Sequence, residues 1–91
     1  MEDLILLMAK ACGYNYEDIM RRPGNSRVSM TRQIIWYKLF HIKVSYTEIG
    51  AYFGATHANI MYGVNRIRDL MTVRDRLVGE LMEKVDQAFE C

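Results

Sequence analysis

The chain carries a single proline and six glycines in 91 residues, which leaves little room for long loops. It has no internal repeat, no low-complexity segment and no strict apolar–polar alternation, so nothing in it reads as a half-buried strand. Its longest purely apolar run, Leu4–Ala9, is far too short to cross a bilayer, and no membrane partner is expected. The first residues include Glu2 and Asp3, unlike the basic start of a secretory signal. There are two cysteines, Cys12 and Cys91, with no CxxC pair. A bridge between them is conceivable, but two cysteines in a helical chain are more often free thiols in a reducing compartment, and no zinc site is supported. Cytoplasmic residence, in the bacterial cytoplasm or nucleoid, is the expectation.

Catalytic signals are equally sparse. The two histidines, His41 and His57, fit no metal-binding spacing, and no GxSxG, P-loop or GxGxxG stretch occurs. Ser, His and Asp are present without any spacing that marks a triad. The chain is therefore read as a non-enzyme, with no metal, no cofactor and no nucleotide.

What is present is helical. Half the residues are apolar and a quarter charged, an ordinary balance for one globular domain of this length. Met, Leu, Ala, Glu, Arg and Lys dominate, all good helix formers. Net charge is +1 but unevenly spread: Met20 to Lys43 holds six bases and no acid, between ends that are both acidic. That basic middle is either a solvated face or a footprint for phosphate.

Helical spacing predicts a helix over Glu2–Cys12 with a stripe of Leu4, Leu7, Met8, Ala11 and Cys12, widened by Ile5 and closed by Gly13. A short turn of helix, Tyr16–Met20, follows with Asn15 as cap. Then comes the basic loop "RRPGNSR", Arg21 to Arg27. Ser29 is the expected cap of a helix over Met30–Ile42, apolar nearly all round and hence central; Trp36 within it is a core residue by default, or an exposed anchor. "SYTE", Ser45 to Glu48, is a capping box for a helix over Tyr46–Phe53, so Glu48 needs no catalytic role. Gly54 ends that helix, and Thr56 caps the next, which reaches about Met71. Its apolar stripe is Ile60, Val64, Ile67 and Met71, with Met61 and Leu70 beside it; its polar face is Asn59, Tyr62, Gly63 and Arg66. "TVRD", Thr72 to Asp75, reads as a weaker capping box for a last helix to Phe89, with a stripe of Val73, Leu77, Leu81, Val85 and Phe89. That stripe could fold back or supply a homodimer seam.

The fold class is therefore all-α: one bundle of five or six helices over 1–91, with a helix-turn-helix at about 46–71. A helix fits the DNA major groove with its first residues nearest the base edges. Thr56, His57, Ala58, Asn59 and Tyr62 are the candidate base readers. Asn pairs bidentately with adenine, and Ala or a Thr methyl touches a thymine methyl. Arg21, Arg22, Arg27, Arg32, Lys43 and Arg66 are the candidate phosphate contacts.

One stretch, Arg32 to Ile67, resembles the C-terminal DNA-binding domain of the bacterial chromosomal replication initiator (DnaA) family. The matching residues are Arg32-Gln33, Ser45-x-x-Glu48-Ile49-Gly50, Phe53-Gly54, His57 and Ile67, with "EDIM" before the basic loop. The resemblance implies a Trp-repressor-like helix-turn-helix that binds duplex DNA in the major groove, with the basic loop near the minor groove. It also implies that Arg32 lies near the DNA and that His57 contacts it. The family's turn reads Gly-Gly-Arg-Asp-His-Thr-Thr, whereas here Gly54-Ala55-Thr56-His57-Ala58-Asn59 is one residue shorter, lacks the Arg-Asp pair and replaces both threonines. The connection before Ser45 is shorter too, and a family arginine of the basic loop aligns with Gly24. The usual target site is thus not carried over. Without a nucleotide-binding domain, the chain reads as a stand-alone relative, of the kind expected among phage, plasmid or other mobile-element regulators. The alternative is a protein-interaction module that kept the fold and lost DNA binding.

Overall fold

The computed structural model describes residues 2–20 and 25–90, the side chain of Glu90 excepted. Arg21, Arg22 and Gly24 of the basic loop, and Cys91, lie outside the described residues. Among the described residues there are six helices and no strand: α1 (Glu2–Ala11), α2 (Tyr16–Met20), α3 (Ser26–His41), α4 (Tyr46–Phe53), α5 (His57–Thr72) and α6 (Arg76–Glu90). Among the described residues no helix is long and apolar enough to cross a membrane.

Local signals explain most boundaries. Gly13, at φ +88, lets the chain turn left-handed after α1, and the Tyr14 amide closes the end on the Ala9 carbonyl at 2.9 Å. Asn15 caps α2 by accepting from the Asp18 amide at 2.8 Å, and Asp18 accepts from the Asn15 amide in return. Two starts differ from expectation. The cap of α3 is Asn25, which accepts from Val28 at 2.9 Å, and not Ser29, whose own amide already donates to the Asn25 carbonyl. The last helix begins at Arg76, because Asp75 itself accepts from the Val78 amide at 3.1 Å. Thr72 stays in α5 and returns its hydroxyl to the Arg68 carbonyl.

α3 packs against each of the other five helices. Ile34, Ile35 and Leu39 are fully buried along it, and Trp36 nearly so, so the indole is core. The expected stripes of α1 and α6 are shifted, and that of α5 keeps Ile60, Val64 and Ile67 but loses Met71. In α1 the buried residues are Ile5, Met8, Ala9 and Cys12, while Leu7 is exposed. In α5 they are Ile60, Gly63, Val64 and Ile67, with Met61 and Met71 exposed. In α6 they are Val78, Leu81, Met82 and Val85; Val73 precedes the helix and is 72% exposed, and Phe89 is also exposed. The physical reason in α6 is spacing: a strict four-residue step drifts off one face, and a mixture of three and four stays on it. That face packs on α1, α3 and α5, so the centre of the expected dimer seam is used inside the domain. The Cys12 thiol lies against the Leu81 carbonyl, and burial pushes its pKa up, as befits a small core residue.

Gly63, expected on the polar face, faces the core. A Cβ there would stand 2.6 Å from Cε3 of Trp36 and 3.1 Å from Cγ of Gln33. Gly79 in α6 is the opposite case, with nothing within 4 Å of a built Cβ. Gly63→Ala is therefore expected to destabilise the fold by about 1–3 kcal/mol through overpacking, and Gly79→Ala to stabilise it by up to about 1 kcal/mol through helix propensity. Urea denaturation of the two variants checks both signs.

Candidate nucleic-acid interface

The α4–α5 corner is built from two backbone constraints. Gly50 sits where a Cβ would be 2.5 Å from the Ala55 carbonyl oxygen, so the chain after α4 can fold directly onto the helix backbone. The Ala55 amide then donates to the Gly50 carbonyl at 2.8 Å. Gly54, at φ +67 and ψ 34, makes the left-handed step that redirects the chain. Ser45 caps α4 by accepting from the Glu48 amide at 3.1 Å, and Thr56 caps α5 by accepting from the Asn59 amide at 3.1 Å. Both caps stand where the sequence places them.

Beyond the corner, α5 divides into an inner and an outer side. Ile60, Gly63, Val64 and Ile67 face inward, and Thr56, His57, Ala58, Asn59, Met61 and Tyr62 are exposed. Four of the five candidate readers thus sit together in the cap and first turn, and Tyr62, 67% exposed, stands one turn further on. His57 is held from beneath. Its ring meets Tyr46 edge-on at 5.3 Å between centroids, and Tyr46 stacks on Phe40 at 4.3 Å. This aromatic ladder ties the N-terminal end of α5 to α4 and α3. The amides of His57 and Ala58, in the first turn, have no acceptor within the helix.

The candidate phosphate contacts are less uniform. Lys43 is exposed, in the turn before α4, with a left-handed backbone at φ +78. Arg27 donates to the Tyr14 hydroxyl at 2.8 Å and to the Cys12 carbonyl at 3.3 Å, and its guanidinium lies over the Tyr14 ring. Arg66 donates to Oε1 of Gln33 at 2.7 Å. Arg32 is 8% exposed, and its Nε donates to the Ile19 carbonyl at 2.6 Å. A side chain so covered braces the end of α2 against α3. Arg21 and Arg22 lie outside the described residues.

Sequence reasoning missed Met61 and Asn65 on the outer side, and Gln33 as the partner of Arg66. The first two were findable. Met61 and Asn65 lie about 100° round the helix from Ile60 and Val64, off the centre of the buried face. Gln33 had no local signal, because its partner is 33 residues away. Among the described residues no group of three or more His, Cys, Asp or Glu could hold a metal ion.

A short helix, a glycine turn and a second helix whose exposed first residues project from a rigid base define a helix-turn-helix domain. Residues 1–67 match the family described as bacterial dnaA protein helix-turn-helix. Over 90 residues the chain is 30% identical to the chromosomal replication initiator protein DnaA of a Picosynechococcus species, a similarity covering 92% of this chain and 20% of that protein. The chain belongs to the bacterial DnaA helix-turn-helix family. It spans about one fifth of the length of the relative it matches.

The cap at Thr56 gives a prediction separate from any ligand. Thr56→Ala is expected to lower stability by about 1 kcal/mol, and Thr56→Ser to retain most of it, because only the hydroxyl is needed for the cap. Thermal melts of the two variants distinguish them.

Proposed function

We propose that the chain binds double-stranded DNA in a sequence-specific manner, with the N-terminal half of α5 in the major groove, and that it acts as a regulator of replication or transcription. The observation that carries this reading is the exposed cluster Thr56, His57, Ala58 and Asn59 at the start of a helix fixed by caps and by the Tyr46–Phe40 stack. Short side chains let the helix end approach base edges closely, and Tyr62 extends the reach by one turn. Thr56 offers its methyl group to the bases, since its hydroxyl is the cap. Family membership supports the same frame, and the initiator role in the relative's name favours replication.

Backbone contacts in this reading come from Lys43 beside α4, from the free edges of Arg27 and Arg66, and from Arg21 and Arg22. Arginines tied at one nitrogen and open at another are pre-oriented, which reduces the entropy lost when they meet phosphate. One observation favours the alternative of a protein-interaction module: Arg27, Arg32 and Arg66 all spend donors inside the protein.

Selection from random duplexes, followed by titration against salt, separates the two. DNA binding predicts an enriched sequence and an affinity that falls steeply with salt. His57→Ala is expected to change the enriched sequence. Lys43→Ala is expected to weaken all duplexes alike and to reduce the salt slope by about 1. No enrichment, together with absent or salt-indifferent binding, rejects the proposal in favour of a protein partner.

A further inference from the structure

The outer side of α5 carries no charge through its first turns. Ala58, Met61 and Tyr62 are exposed there, flanked by His57, Asn59 and Asn65. The first cation along the helix, Arg66, leans to α3 and is held by Gln33. Within α5 no aspartate or glutamate precedes Asp69. Among the described residues nothing engages the side-chain amides of Asn59 and Asn65 or the hydroxyl of Tyr62.

Each base pair in the major groove calls for a particular side-chain chemistry. Guanine is read chiefly by Arg or Lys on O6 and N7, and cytosine by a carboxylate accepting from N4. Adenine is read by Asn or Gln on N6 and N7, and thymine by apolar contact with its C5 methyl. From His57 to Asn65 the outer side of α5 lacks the first two chemistries and holds both of the others, and the exposed Arg68 and Asp69 follow only further along the helix. Resting on the DNA-binding reading above, we propose that α5 selects A·T base pairs, with Ala58, Met61 and Tyr62 as the thymine-methyl surface and Asn59 and Asn65 as the adenine readers.

The methyl contacts are separable from every other term. Replacing thymine by uracil removes the C5 methyl and leaves the Watson–Crick edge and the phosphates unchanged. The full chain is first used to select duplexes from a random pool, and each thymine of the selected core is then replaced by uracil in turn. The expected core is three or four A·T pairs, and uracil at one or two of them weakens binding about fourfold, the value of one buried methyl group. Uracil in the flanks has no effect. At least one of Ala58→Gly, Met61→Ala and Tyr62→Ala should make a core position indifferent to the replacement, with circular dichroism confirming that the helices persist. A selected core of G·C pairs, or one indifferent to uracil throughout, overturns this inference and leaves DNA binding standing. No duplex binding at low salt overturns both.

Discussion

The approach of α5 to α3 at Gly63 is the constraint on which the rest of the interface depends. With a hydrogen in place of a side chain, the backbone of α5 lies directly on the Trp36 ring. The same indole meets Phe53 of α4 edge-on at 5.8 Å. One buried ring therefore contacts both helices of the helix-turn-helix and fixes the angle between them. Rotating α5 to bring any larger residue to position 63 would drive it into the indole, so the outer side of the helix has one orientation. Readout by short side chains needs that rigidity, because a displacement of about an ångström is enough to break a hydrogen bond to a base edge.

The cations show a related economy. Arg27, Arg32 and Arg66 each join elements distant in sequence: the α1–α2 turn, the end of α2, and α3. Covering a guanidinium costs less where its buried donors find partners, and here carbonyls, a phenol and an amide each engage one nitrogen of these side chains. The basic middle of the chain is thus partly a scaffold. Charge counting treats all six bases alike and cannot separate those that hold the fold from Lys43, which faces solvent.

What the sequence made legible follows from the range of each signal. Caps are local, so Gly13, Asn15, Ser45, Gly54 and Thr56 were readable, and with them both helices of the corner. The start of α3 was not, because Asn25, Ser26 and Ser29 are all competent caps and propensity alone does not rank them. The stripe of α6 was misread for a different reason: Val73 and Phe89 extend an apolar series that the core does not reach. Gly63 was the least legible residue of all. A glycine among polar neighbours gives no sign that an indole 27 positions earlier needs its space.

The same geometry separates what the fold requires from what readout requires. Gly50, Gly54 and Gly63, the two caps and the Trp36 ring make the corner; Ala58, Asn59, Met61 and Tyr62 make no contact on which it depends. Substitutions at exposed helical positions of this kind typically change stability by no more than about 0.5 kcal/mol, whereas changing one base-edge contact shifts discrimination by about 1–3 kcal/mol. Readers can therefore vary while the frame stays fixed. Under the DNA-binding proposal Thr56 is the exception: its hydroxyl caps the helix and its methyl group faces outward. Thr56→Ser removes that methyl group while keeping the hydroxyl on which the cap depends.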